Sequence, residues 1–138
     1  MGSNLKGTVA LVTGSGRGMG RSHAVLLAER GADVIVHDIN PDSVAETAEL
    51  VRSNGRRAGQ IIADVRNVGE FTAKISEQEL ELGKIDILVN NAGVSGNKLA
   101  VEDITEDIYN NLFDIQVRGS FFAVQAVLPG MKSRKYGK

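Results

Sequence analysis

The eight residues Thr13-Gly14-Ser15-Gly16-Arg17-Gly18-Met19-Gly20 constrain this chain more than any other stretch. They follow Thr8-Val9-Ala10-Leu11-Val12-Thr13, a largely apolar run of the kind expected for a strand covered on both faces. They precede Ala24-Val25-Leu26-Leu27-Ala28, which reads as helix up to a stop at Gly31. Glycine at four alternate positions between a buried strand and a helix lets the backbone approach a phosphate closely. The free amides and partial positive charge of the helix start then face that phosphate. Plain tight turns also use glycine, so the strand-to-helix context carries the inference rather than the glycines alone.

Strand and helix patterns alternate along the rest of the chain. A second strand is expected over 32–38 and a second helix after it, with Asn40 as cap, Pro41 at its first position and Gly55 as a left-handed stop. A third strand covers 58–63. Asn67 and Glu70 then form a capping pair for a third helix that carries Phe71, Ile75 and Leu82 on one stripe and ends at Gly83. The fourth strand is read as 85–90, followed by a loop over 91–103. A long helix is expected from Thr105 to about Leu128, with Pro129-Gly130 near its end. This βαβαβαβα order implies an α/β, Rossmann-like, doubly wound parallel sheet in the order 3-2-1-4, because parallel crossovers are right-handed. Residues 1–138 read as one nucleotide-binding unit with no fifth strand, as if truncated before it.

Three nucleotide-binding turns compete for the glycines. A P-loop needs Gly-Lys-Ser/Thr at its end, and Gly20-Arg21-Ser22 lacks the lysine. The common dinucleotide fingerprint, Gly-x-Gly-x-x-Gly, fails from Gly14, where its last glycine would be Met19, and from Gly16, where it would be Arg21. A Gly-x-Gly-x-Gly pattern does hold at Gly14, Gly16 and Gly18, and a methyltransferase with a sulfonium cofactor could show it as well. Asp38 ends the second strand, 24 positions after Gly14 and 18 after Gly20. That separation suits a carboxylate that accepts from ribose hydroxyls and repels a 2′-phosphate, so NAD is favoured over NADP.

Composition removes other classes. A formal net charge of -1, with basic residues clustered only at the end of the chain, gives no footprint for nucleic acid or an anionic membrane. There is no cysteine, and His23 and His37 are the only histidines, so a typical zinc site is not expected and both histidines read as packed structural residues. No apolar run approaches the roughly 20 residues of a membrane span. Met1-Gly2-Ser3 opens no leader-like apolar stretch and Lys6 breaks a myristoylation pattern, so a cytoplasmic location is expected.

Thr13-Gly14-x-x-x-Gly18-x-Gly20, Asp64-Val65 after the third strand and Asn90-Asn91-Ala92-Gly93 after the fourth together resemble the short-chain dehydrogenase/reductase family, over nearly the whole chain from about Leu5. The resemblance implies an oxidoreductase that exchanges hydride between NAD and a secondary alcohol or ketone. It implies that Gly14, Arg17, Gly18, Met19 and Gly20 wrap the pyrophosphate and that Asp38 and Ile39 hold the adenosine ribose. Asp64 and Val65 would meet the adenine, and Asn90, Ala92 and Gly93 the strand-four side of the cofactor.

The family's chemistry resembles a division of labour this sequence does not complete. It uses a tyrosine with a lysine four residues later, since an unperturbed phenol, with a pKa of about 10, exchanges protons poorly near neutrality. Here Tyr109 is followed at that distance by Phe113, and Tyr136 lies two residues from the end. Gln116 occupies the position where the family carries an asparagine that helps the proton relay, and it is the one catalytic candidate. The 138 residues therefore read as a cofactor-binding portion without turnover of its own, with a non-catalytic binding module or a fragment as alternatives. Ile85, Ile87, Leu88 and Val89 on an uncovered edge strand, and Ile108, Leu112, Ile115, Phe121, Phe122 and Val124 on the long helix, lead us to expect a homo-oligomer.

Overall fold

The computed structural model describes residues 4–95 and 98–138; residues 1–3, read above for a leader, and residues 96–97 of the loop after the fourth strand lie outside the described residues. Four strands, β1 (Val9–Val12), β2 (Asp33–Asp38), β3 (Ala58–Ile62) and β4 (Ile87–Val89), form one parallel sheet in the order β3-β2-β1-β4. Between them run α1 (Gly18–Glu29), α2 (Pro41–Ser53) and α3 (Val68–Leu82). A short 3₁₀ turn (Val101–Asp103) then leads to α4 (Glu106–Phe113) and α5 (Gly119–Arg134).

Alternation along the strands builds two cores, one on each face of the sheet. Val9 and Leu11 of β1, with Ile35 and Ile61, point to the side where Phe71, Ile75, Ala123 and Val127 of α3 and α5 close over them. Val12, Val34 and Val36 point to the other side, against Ala24, Ala28, Val44, Ala48 and Val51 of α1 and α2. Each such fully buried valine, leucine, isoleucine or phenylalanine is worth about 1.5–3 kcal/mol relative to exposure. With both faces covered, the ends of the strands are where backbone groups and polar side chains remain available.

The helix signals hold in detail. The Asn40 side chain accepts from the Ser43 amide at 2.9 Å, and Pro41 opens α2. Asn67 accepts from the Glu70 amide and donates from Nδ2 to the Glu70 carboxylate at 3.0 Å, closing the reciprocal pair at the start of α3. Gly83 (φ 91°) ends α3 in the left-handed region, where a side chain would be strained.

Four expectations need correction. β4 is shorter than read, Ile87–Val89 rather than 85–90, although the Asp86 amide still bonds the Val9 carbonyl at 2.8 Å. The long helix is interrupted: Asp114–Arg118 form a π turn between α4 and α5. It also continues through Pro129 to Arg134 instead of stopping there. Proline disfavours a helix interior, but packing beyond it holds the last turn in place. Arg134 donates to the Ile85 carbonyl at 2.6 Å and pairs with Glu79, and Met131 packs on the core. The outer edge of β4 is also not bare. The Lys138 amide donates to the Asp86 carbonyl and the Leu88 amide donates to the Lys138 carbonyl, each at 2.9 Å, so the last residue continues the ladder in parallel register.

Candidate functional site

The C-terminal ends of the strands open into a cavity of about 300 Å³, lined by residues that include Gly14, Arg17, His37, Asp38, Asp64, Val65, Asn91, Ala92 and Gly93. This is the position where open α/β sheets bind ligands, beside the strands at which the winding direction reverses. The glycine turn forms one wall, and close packing explains its composition. Gly14 has φ 62°, and a Cβ there would come within 2.8 Å of the Ala92 Cα. At Gly16 an added Cβ would fall 2.7 Å from the Asp38 carboxylate, and at Gly20 it would run into the Gly14 carbonyl. Gly18 (φ 57°) meets nothing, so its backbone conformation alone asks for glycine there. Arg17 stands at the N-cap of α1 without capping it, which leaves the first amides of the helix free of side-chain partners.

Asp38 is tied to this turn. Its Oδ2 accepts from the Gly16 amide at 3.0 Å, and its Oδ1 accepts from the amides of Ile39 at 2.8 Å and Asn40 at 3.4 Å. A carboxylate has about four acceptor positions, so it retains capacity for hydroxyl donors from a ligand. Arg21 stands where a P-loop would have its lysine, yet it turns away from the cavity. Its Nε bonds the Gly16 carbonyl and the Thr47 hydroxyl, both at 2.9 Å, and its Nη2 pairs with Glu46 at 2.8 Å. It braces the turn from behind.

The opposite wall is the segment after β4. The Asn91 amide and the Ala92 amide both donate to the Thr13 hydroxyl at 3.0 Å, and Asn91 Nδ2 donates to the carbonyls of Thr13 and Gly14, also at 3.0 Å. At the third side, Arg66 reaches back to Asp64 with its closest contact at 2.6 Å, and extends Nη1 to Asn111 at 2.7 Å. That hydrogen-bonded arginine holds the Asp64 carboxyl below its ordinary range. Val65 is buried, and Gly119 packs its backbone so closely on Val65 that a Cβ there would lie 2.9 Å from it.

Most of the residues expected from the sequence gather at this one cavity: Gly14, Arg17, Asp38, Ile39, Asp64, Val65, Ala92 and Gly93 line it. Gly18 and Gly20 shape the turn behind it, Met19 is 75% exposed, and Asn90 is exposed just beyond β4. Gln116 lies in the π turn, exposed, its Cγ 3.3 Å from where a Gly93 Cβ would stand. Sequence reasoning placed none of Gly16, His37, Arg66, Asn91, Asn111 and Ile115 among the cofactor-binding residues, although Gly16 and Asn91 stood inside its motifs; all six touch the site or line it. For Gly16 the signal was present, since it separates Gly14 from Gly18 in a turn that must meet Asp38.

The chain matches the short chain dehydrogenase family over residues 8–138. It belongs to that family. It is 34% identical to (-)-trans-carveol dehydrogenase of Rhodococcus erythropolis over 98% of this chain and 53% of that protein. Among solved structures, it resembles the carveol dehydrogenase from Mycobacterium avium in complex with NAD, with a TM-score of 0.90 and 34% identity, covering 96% of this chain and 52% of that one. It also resembles an NAD⁺-bound xylitol dehydrogenase, with a TM-score of 0.93 and 32% identity, covering 98% of this chain and 52% of that one. This short-chain dehydrogenase sequence thus spans about half the length of these relatives. Membership removes the methyltransferase reading of the Gly-x-Gly-x-Gly pattern. No helix among the described residues is long and apolar enough to cross a membrane.

Proposed function

We propose that this chain supplies the NAD-binding part of a short-chain dehydrogenase that oxidises a secondary alcohol or reduces a ketone. The observation that carries the reading is the Asp38 carboxylate, fixed at the rim of the cavity by the Gly16 amide and still open to hydroxyl donors. The residues fit a dinucleotide. The pyrophosphate would lie on the turn at Gly14, Arg17, Gly18, Met19 and Gly20, where close packing excludes side chains at Gly14 and Gly20 and the first helix amides have no side-chain cap. Asp38 and Ile39 would hold the adenosine ribose, Asp64 and Val65 the adenine, and Asn90, Ala92 and Gly93 the strand-four side of the cofactor. The bound cofactor would supply the hydride chemistry; the chain's own part is to bind and orient it.

NADP is disfavoured because its 2′-phosphate would meet the Asp38 carboxylate. Gln116 is the candidate for the amide that supports the proton relay. A cytoplasmic, homo-oligomeric protein that does not bind nucleic acid or membrane completes the proposal. Titration calorimetry with NAD and NADP tests it: NAD should bind and NADP should bind more weakly, and the reverse order, or no NAD binding, would falsify it.

A second reading, a dinucleotide-binding module without catalysis, is favoured by the surroundings of Tyr109. Its ring stacks on Phe113 at 4.3 Å, the residue that stands where the family's lysine would follow a catalytic tyrosine.

A further inference from the structure

His37 is 2% exposed on β2, between the exits of β1 and β3, and its side chain joins them. The Gly14 amide donates to its Nδ1 at 3.1 Å, and its Nε2 lies 3.0 Å from the Ala63 carbonyl. These partners fix the tautomer. A peptide N–H can only donate, so Nδ1 must present its lone pair; a carbonyl can only accept, so Nε2 carries the hydrogen. Only the neutral ring satisfies both, and a proton on Nδ1 would set N–H against N–H at Gly14. The His37 backbone adds to the tie: its carbonyl accepts from the Ser15 amide at 2.7 Å and its amide donates to the Ser15 side-chain Oγ at 3.0 Å. Those bonds survive a change of the side chain at position 37, whereas the Gly14 contact survives only where the new side chain offers an acceptor in the place of Nδ1.

We propose that His37 is a positioning residue for the dinucleotide, its neutral imidazole anchoring the first glycine of the pyrophosphate turn to the base-binding end of β3, and that acid releases this anchor. The inference rests on the cavity being a dinucleotide site. Every element packed on the ring has a stated part. Asp38, next in β2, and Asp64, beyond β3, favour the cation, with the Asp64 charge shared by Arg66. The glycine turn brings the Gly14 amide and, across the cavity, Arg17. From α3 the Phe71 ring covers the imidazole at 4.8 Å. Burial outweighs the two carboxylates and the Ala63 hydrogen bond and pushes the pKa below its ordinary value, so the ring is neutral at neutral pH.

The test compares NAD binding by calorimetry at neutral and acidic pH for the unmodified chain, His37→Asn and His37→Phe, with thermal melts confirming that each is folded. An asparagine Oδ1 reproduces the Nδ1 acceptor but does not titrate. Affinity of the unmodified chain should fall on acidification, by up to about tenfold per pH unit below the imidazole pKa, the limit for one excluded proton. His37→Asn should bind within a few-fold at neutral pH and keep its affinity in acid, while His37→Phe should bind weakly at both. Equal binding by His37→Phe, or an unchanged acid loss in His37→Asn, overturns the proposal. Nuclear magnetic resonance without NAD decides the coupling separately: the Gly14 amide should titrate with the His37 ring in the unmodified chain and not in His37→Asn. If NAD does not bind but that coupling is seen, the dinucleotide reading is what fails; if Gly14 ignores the ring, the anchor fails.

Discussion

The Thr13 hydroxyl accepts the Asn91 amide at 3.0 Å, while Asn91 Nδ2 returns a bond to the Thr13 carbonyl at the same distance. Two signature segments separated by most of the sheet in sequence are thereby one structural unit, because β1 and β4 are neighbours. The same hydroxyl accepts the Ala92 amide. Thr13→Val keeps the shape but removes the acceptor from two half-buried amides. The cost should be about 1–3 kcal/mol for each donor left without a partner. Urea denaturation should show a lower midpoint at an unchanged slope, and a midpoint equal to that of the unmodified chain would mean water replaces the hydroxyl.

Gly14 and Gly18 share a left-handed backbone but differ in surroundings. Gly18→Ala should cost only the conformational term, about 1–2 kcal/mol, because nothing stands near its Cβ. Gly14→Ala adds a collision with the Ala92 backbone, so the wall formed by residues 91–93 must move. Unfolding by urea should rank Gly14→Ala as the more damaging of the two, and NAD titration should show its binding lost. Equal stability of the two variants would show that the segment after β4 yields freely.

Asp38→Ser removes the charge that opposes a 2′-phosphate and the acceptor for the Gly16 amide. NAD affinity should fall by about 1–3 kcal/mol, as for the loss of a charged hydrogen-bond partner, and the disadvantage of NADP should shrink by a similar amount. Calorimetry with both cofactors reads the two effects separately. If the NAD-to-NADP ratio is unchanged by the substitution, Asp38 does not set the preference.

Much of the fold was legible in the sequence because its signals are local. Asn40-Pro41, Asn67 with Glu70, and Gly83 act within a few residues, and alternation from Val9 to Val12 already divides the two cores. What the sequence hid depends on contacts between distant segments. Pro129 looks like a helix stop until Arg134 is seen bonded to the Ile85 carbonyl. The π turn at Asp114–Arg118 has no periodicity signal of its own; at its end, Gly119 backs onto Val65 of another loop. At the site, the glycines and Asp38 were readable from spacing. His37 was not, since an imidazole on a buried strand gives no sign that its two nitrogens meet Gly14 and Ala63.

The 138-residue chain alone should show no measurable dehydrogenase activity. It contains no tyrosine followed four residues later by lysine, and proton transfer by a positioned group contributes a factor of about 10²–10⁴. Loss of substrate positioning costs at least as much again. The check is NADH consumption over a panel of ketones, with NAD binding measured on the same sample. Clear turnover by the purified chain would show that another group, Gln116 being the nearest candidate in the π turn, supports the proton step.

Assembly follows from the outer face of α4 and α5. Tyr109, Phe113, Val117, Phe121, Val124 and Leu128 are all exposed, and their spacing of three or four residues draws them into one stripe along the helices. Lys138 pairs with part of the β4 edge, but the stripe lies on helices and gains no cover from that pairing. Isolated exposed apolar side chains are ordinary on a soluble protein, whereas a continuous row of six, two of them phenylalanine, is the kind of patch that becomes an interface. The chain should therefore sediment as a homo-oligomer, or self-associate as its concentration rises. Val117→Glu with Phe121→Glu should shift it toward monomer, because two desolvated carboxylates facing their own copies across such an interface repel one another. Melting temperatures of the two forms at low concentration should differ little, since both side chains already face water in the single chain. A compact, concentration-independent monomer for the unmodified chain, unaffected by the double substitution, would show that the stripe is simply solvated.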